Sequence, residues 1–237
     1  MEPTSAQNKF LIPGAILVAA LIIGGVLYMR GRIPEKPDST DGTPTDRVVE
    51  PLATDDHILG SPNADIVVFE YSDTECPYCK DFHMTMHRIV DEYGTDGKVA
   101  WVYRHFPIAQ LHSKAAKEAE ATECAAELGG NEKFWTYIDR VFSVTPSNDR
   151  LNLAELPKIA ADVGLDRAAF ETCLNSGKYA EKIEASIQKA IAAIPPEQLG
   201  TPYSVMVAKD GRQFPVPGAQ RYETLKQVID TILAGDE

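Results

Sequence analysis

The sequence is poor in basic charge: 23 Lys and Arg stand against 35 Asp and Glu in 237 residues, a formal net charge of −12. That balance excludes a nucleic-acid-binding face, because phosphate contacts require a basic surface. Cysteine is scarce as well, and four residues are too few for a miniature scaffold stapled by disulfides. No glycine-rich phosphate loop is found, so nothing calls for a nucleotide or flavin. No internal repeat is visible. What is present is ordinary for a globular chain: 44% hydrophobic and 24% charged residues, which excludes wholesale disorder. The length suits one domain, or one domain with a large insertion.

Residues 10–29 carry no charge. As a helix they would span about 30 Å, the hydrocarbon thickness of a bilayer, so residues 1–30 are expected to be an N-terminal membrane anchor. The alternative is a cleaved signal peptide. Against it, the run exceeds the usual apolar core of about 7–15 residues, and Tyr28-Met29-Arg30 offers no small-residue cleavage site. Lys9 flanks one end, and Arg30, Arg32 and Lys36 flank the other, so the positive-inside rule alone favours a cytoplasmic domain. Residues 31–56 contain Pro34, Pro37, Pro44 and Pro51 among polar residues and are expected to be an extended linker with no core of its own. The anchor segment is net +1, which leaves −13 on the remaining 207 residues and suits a domain standing off the membrane.

Residues 57–237 show the periodicities of an α/β domain. Residues 66–71 form the first strong apolar strand. From 77 to about 93, Phe82, Met86, Ile89 and Val90 recur at helical spacing, and Gly94 ends the run. Residues 99–103 are a second strand. Helical patterns follow at 112–128, 132–142, 153–163, 168–174 and 179–194, and Pro195-Pro196 stops them. Strands return at 203–207 and near 213–216 around a turn at 209–211, and 222–233 is the last helix. The order is β-α-β … β-β-α, interrupted by an all-helical insertion of about 108–198.

Cys76-Pro77-Tyr78-Cys79 stands where the first strand hands over to a helix. Pro77 suits the first helical position, where its missing N–H is no loss. Free N–H groups and the positive end of the helix dipole then face the Cys76 sulfur and favour its thiolate, making Cys76 the nucleophile. Cys79, one turn on, can close a disulfide with it and act as the resolving thiol. A zinc site of Cys76, Cys79, His83 and His87 has the right residue types. However, Cys79, His83 and His87 lie at i, i+4 and i+8, about 12 Å from end to end, whereas zinc holds its ligands at about 2.0–2.3 Å. No metal is therefore expected, and His83 and His87 are assigned to a solvated or core-edge helix face. Glu70 lies in a strand that reads as buried, where a carboxylate is pushed toward its neutral form. Near the sulfurs it could exchange the Cys79 proton, unless it sits on an edge and reaches solvent. Cys124 and Cys173 both read as buried in the insertion. They are either two separate thiols or a structural bridge enclosing about 50 residues and stabilising by roughly 4 kcal/mol.

Taken in order, the strand, Cys76 to Cys79, helix, second strand, helical insertion, Thr201-Pro202, hairpin and final helix resemble the thioredoxin fold of the DsbA-like thiol–disulfide oxidoreductases, in their membrane-anchored branch. Leu59-Gly60-Ser61-Pro62, Tyr103-Arg104-His105-Phe106-Pro107, Gly200-Thr201-Pro202 and Gly218-Ala219 carry the resemblance further. It implies that Cys76 forms the mixed disulfide and Cys79 resolves it, with Pro77 and Tyr78 tuning the redox poise. It also implies that Glu70 is the family's buried acid and that Thr201-Pro202 is its cis-proline loop, which meets the substrate peptide. Cys-Pro-Tyr-Cys is equally the glutaredoxin sequence, so the two central residues do not decide the direction of electron flow.

The expectation is thus an extracytoplasmic disulfide oxidase, at the cell surface or in the periplasm. It would act on protein thiols as a monomer, without cofactor or metal beyond its own Cys76–Cys79 disulfide. The resemblance adds a quinone-linked membrane reoxidant of the DsbB or vitamin-K-epoxide-reductase type. A reductase or isomerase on the same scaffold, or a non-catalytic tethered peptide-binding module, are the alternatives.

Overall fold

The computed structural model describes residues 49–235. The expected anchor at 10–29 and most of the expected linker lie outside the described residues. Among those described, no helix is long and apolar enough to cross a membrane.

The described chain runs β1 (His57–Leu59), β2 (Ile66–Ser72), α1 (Pro77–Tyr93), β3 (Val99–His105), α2 (Ala115–Val144), α3 (Leu156–Asp162), α4 (Arg167–Ser176), α5 (Ala180–Ala193), β4 (Tyr203–Ala208), β5 (Gln213–Pro217) and α6 (Tyr222–Ala234). The five strands form one sheet in the order β1-β3-β2-β4-β5. β2 and β3 are parallel, Val68 beside Trp101 and Glu70 beside Tyr103, as a connection through a helix requires. The other pairs are antiparallel. This is a thioredoxin-like α/β fold with helices inserted between β3 and β4.

β2 and β3 are almost wholly buried, because helices cover both faces of the sheet. Alternation along β2 sends Ile66, Val68 and Glu70 to one face and Phe69 and Tyr71 to the other. On the first face Ile66 and Val68 join Phe82, Met86 and Ile89 of α1 and Leu225, Ile229 and Ile232 of α6. Each such side chain contributes about 1.5–3 kcal/mol by leaving water. On the second face Phe69 and Tyr71 meet Val205, Ala190, Ala193 and Ile194. The α1 face that makes these contacts repeats through Cys79, Phe82, His83, Met86 and Ile89, so the helix lays its start beside the end of β2.

The insertion has its own core of Tyr137, Val141, Leu156, Ile159 and Phe170 around Cys124 and Cys173. These two cysteines are joined by a disulfide, 49 residues apart, which ties α2 to α4. α2 unites the two helical patterns expected at 112–128 and 132–142. They meet at a kink where Gly130 has φ of 72°, a conformation glycine adopts freely. Glu123 of α2 fastens the insertion to the sheet: it pairs with His57 (3.0 Å), His105 (3.1 Å) and Lys182 (2.7 Å). Burial opposes its charge, but His105 and His57 hold it well below the usual carboxylate range.

Two expectations need correction. The segment read as linker through residue 56 is docked from Val49 onward. Val49 is buried against Phe69 and Tyr71, and the Arg104 guanidinium donates to the carbonyls of Glu50 and Pro51 (both 3.1 Å) and to Asp56 (2.7 Å). A proline-rich segment without a core of its own has borrowed one. The short edge strand β1 has no counterpart in the periodicity, since three residues are too few to show a pattern.

Candidate active site

Cys76 is the residue at which the loop after β2 becomes α1. Its backbone is extended (φ −77°, ψ 121°), Pro77 takes the first helical position, and the Lys80 N–H bonds the Cys76 carbonyl at 3.1 Å. The three residues before it are pinned by side chains. Asp73 accepts from the Glu75 N–H and the Ile108 N–H (both 2.8 Å) and pairs with His112 at 2.9 Å. Glu75 accepts from the N–H groups of Leu151 (2.9 Å) and Arg150 (3.2 Å), and the Thr74 hydroxyl donates to Glu118 at 2.6 Å. The loop that presents Cys76 is therefore held by α2 and by the segment ahead of α3. Burial, chiefly, pushes Glu118 up to about 8, so it is protonated at neutral pH.

The two sulfurs, both present as thiols, have unlike surroundings. Cys79 is fully buried and accepts from the Asp73 N–H at 3.4 Å. Cys76 keeps a little exposure beside the largely exposed Tyr78, and its thiol donates to the Thr201 carbonyl at 3.5 Å. The Cys79 thiol, then the Thr201 side chain and the N–H groups of Cys79 and Tyr78, favour the Cys76 thiolate over the opposing effect of burial and bring its pKa down to about 6. Burial, followed by the neighbouring Cys76 and Glu70 charges, pushes Cys79 well above the ordinary thiol value. The sequence pointed to the helix N-terminus as the cause. The N–H groups do contribute, but the partner thiol contributes more.

Glu70 is not on an edge. It is fully buried in the central strand on the α1 face, and desolvation raises its pKa to about 7, partly offset by the neighbouring Ser72 and by the Trp101 indole N–H, which donates to Oε2 at 2.8 Å. Thr201 and Pro202 lie just ahead of β4, their peptide bond is cis, and Thr201 is brought to Cys76. Cys76, Cys79, Glu70, Pro77, Tyr78, Thr201 and Pro202 thus gather at one end of the sheet. Cys124 and Cys173 lie apart in the insertion core.

Of the two placements expected for His83 and His87, the structure shows the core edge. His83 is buried against Trp101 and Phe142 rather than solvated, and both rings turn to Asp139 of α2 at 2.7 and 2.8 Å. Neither sulfur joins that group. Asp139 and Trp101 were missed by sequence reasoning. Asp139 is more than 50 residues from the histidines, and an aromatic in a buried strand carries no mark of the hydrogen bond it makes.

A Thioredoxin family model matches residues 53–231. Among solved structures, the chain is similar to Pseudomonas aeruginosa DsbA2, at 28% identity and a TM-score of 0.61 over 77% of this chain and 97% of that one. It is also similar to alpha-DsbA1 of Wolbachia pipientis, at 26% identity and a TM-score of 0.63 over 78% and 94%. Oxidised BdbD of Bacillus subtilis, at 19% identity and a TM-score of 0.63, shares the fold. A curated relative, Na(+)/H(+) antiporter NhaA 1 of Mycobacterium sp. (strain KMS), is 30% identical over 173 residues, which are 72% of this chain but 26% of that one. The chain thus spans about a quarter of the length of that antiporter.

Proposed function

The chain belongs to the thioredoxin family, in its DsbA-like group, and on that premise we propose that it is an extracytoplasmic disulfide oxidase of protein thiols. Thiol–disulfide exchange is the chemistry of the group. The oxidising direction is supported by one observation above all: the Cys76 thiolate is stabilised while Cys79 is held as the thiol. Whatever stabilises the reduced pair makes its disulfide a stronger oxidant.

The step begins with the Cys76–Cys79 disulfide. A substrate thiolate attacks the Cys76 sulfur, since Cys79 is fully buried. A mixed disulfide forms at Cys76, and the electron pair of the broken S–S bond goes to Cys79. With its pKa raised, Cys79 takes up a proton, which Glu70 supplies because its own pKa of about 7 leaves it partly protonated at neutral pH. A second substrate thiolate then attacks the substrate sulfur of the mixed disulfide and expels Cys76 as a thiolate, a good leaving group at a pKa of about 6. The two substrate thiols have given two electrons to the protein and their protons to solvent, from which Glu70 is reprotonated. The protein is left reduced, with Cys79 a thiol and Cys76 a thiolate. Thr201, beside Cys76, is where the backbone of the arriving peptide is met.

Residues 10–29 would anchor the protein, as a monomer, to the membrane with the domain outside, and a quinone-linked membrane protein would return it to the disulfide. No further cofactor enters the exchange. A reductase on the same scaffold is the alternative, since the Pro77-Tyr78 dipeptide does not decide the direction. The redox potential separates the two. Equilibration with glutathione buffers should give a value far above the about −270 mV of thioredoxin, and a value near that figure would overturn the oxidase assignment.

A further inference from the structure

The group formed by His83, His87 and Asp139 is not used in the exchange reaction. His83 and His87 are four residues apart on α1 and therefore neighbours on one face. Asp139 approaches that face from the second half of α2. His83 Nε2 lies 2.7 Å and His87 Nε2 2.8 Å from the same oxygen, Asp139 Oδ1, and the two nitrogens are 3.3 Å apart. Three donor atoms from two helices thus converge on one point. Among the described residues this is the group of three or more such side chains close enough to share an ion.

We propose that His83, His87 and Asp139 bind a divalent transition-metal ion, with zinc as the best match. A tetrahedral ion about 2.1 Å from each ligand sets neighbouring donor atoms about 3.4 Å apart. The two imidazole nitrogens already stand at that separation. The Asp139 oxygen must retreat by about 0.8 Å to match it, and its side chain is partly exposed. Two imidazoles and one carboxylate suit zinc, cobalt or nickel, whereas calcium and magnesium require oxygen ligands throughout. Three protein ligands leave a fourth position open, as in exchangeable zinc sites.

The surroundings set the strength. His83 is buried, but His87 and Asp139 reach solvent, so an ion has a way in. Asp91, one turn beyond His87, adds negative charge nearby. His83 Nδ1 has no hydrogen-bond partner, so the outer support that tightens zinc sites is missing on that ring. The affinity belongs in the micromolar range. Trp101 and Trp135, the two tryptophans of the chain, both contact the His87 ring, with centroids at 5.4 and 6.5 Å. A bound cobalt ion would therefore quench the whole tryptophan emission.

The test uses the full-length chain without a histidine tag and with Cys76 and Cys79 oxidised, so that neither thiol competes. Titration with cobalt should saturate at one equivalent, quench the fluorescence, and produce visible bands without the near-ultraviolet charge-transfer band of a thiolate ligand. Zinc should displace the cobalt. Asp139→Asn and His87→Gln, both at positions that reach solvent, should each weaken binding at least tenfold while leaving the fold, followed by circular dichroism, intact. Binding of less than one equivalent at micromolar metal would overturn the proposal. So would a thiolate band, or unchanged affinity in either folded variant.

Discussion

The Trp101 indole N–H donates to Glu70 Oε2 at 2.8 Å, and Glu70 Oε1 has no partner. The bond crosses from β3 to β2 on the face covered by α1, so one of the two carboxylate oxygens is satisfied and the other is not. Such a group, out of reach of water, is held near a pKa of about 7, chiefly by desolvation. It is protonated at pH 5 and largely ionised at pH 8.

A raised carboxylate pKa stabilises the fold below the unfolded value, here 4.5, and that contribution is lost as the pH rises through about 7. Glu70→Gln keeps the shape and removes the titration. Between pH 4 and pH 8 the wild-type dithiol should therefore lose about 3 kcal/mol of stability relative to the variant. Urea unfolding of both proteins across that range measures the difference. A flat difference would mean that Glu70 does not titrate as its burial requires.

For Cys76 the sign is opposite. Its folded pKa of about 6 is below the ordinary value of 9.0, so its thiolate contributes stability that is full above 9 and fades as the pH falls through 6. At pH 7 the contribution is about 1.4 kcal/mol, a factor of ten in the redox equilibrium, or about 30 mV. The rate of alkylation at Cys76 should rise with a midpoint near pH 6, and the dithiol should unfold at higher urea than the disulfide form. A midpoint near 9 would remove the physical basis of the oxidase assignment.

Much of this was legible in the sequence because it is local. The continuous apolar run of β2, the helical spacing of Phe82, Met86 and Ile89, and the placing of Cys76-Pro77 at a helix start all lie within a few residues of one another. What was not legible is made by contacts between distant segments. Asp139 meets His83 across 56 residues, Arg104 holds Pro51 across 53, and Trp101 reaches Glu70 across 31. An aspartate on an amphipathic helix or a tryptophan in a buried strand satisfies the local pattern whether or not it makes such a contact. For the same reason the sequence left His83 between a solvated and a core-edge face: its burial is decided by α2, which α1 alone does not reveal.

The Cys124–Cys173 bridge has a different character from the catalytic pair. It closes a loop of about 50 residues inside the insertion, and its removal should cost about 4 kcal/mol by restoring freedom to the unfolded chain. Cys124→Ala with Cys173→Ala should lower the urea midpoint accordingly but leave the pH midpoint of Cys76 alkylation near 6. A shift of that midpoint would tie the insertion core to the site more closely than its separate position suggests.

Replacement of Cys79 by Ala leaves no Cys76–Cys79 disulfide for a substrate to attack. A mixed disulfide forms instead when the Cys76 thiolate attacks a substrate disulfide, and without Cys79 to resolve it the substrate cannot be released from within the protein. Cys79→Ala should accumulate mixed disulfides that disappear when Cys76 is also replaced. A non-catalytic peptide-binding module would give no adducts in either case.

Two opposed physical signals bear on the side of the membrane on which the proposed anchor would place the domain. Arg30, Arg32 and Lys36 after residues 10–29 favour a cytoplasmic domain by charge. A disulfide oxidase and the Cys124–Cys173 bridge both belong to an oxidising compartment. At pH 7 Cys76 is largely thiolate and retains some exposure, whereas Cys79 is buried and protonated, so a membrane-impermeant thiol reagent should discriminate cleanly between them. Applied to intact cells after mild reduction, it should label Cys76 and spare Cys79. Protection of Cys76 until lysis would place the domain in the cytoplasm, where thiols are kept reduced, and would leave the reductase as the function of this scaffold.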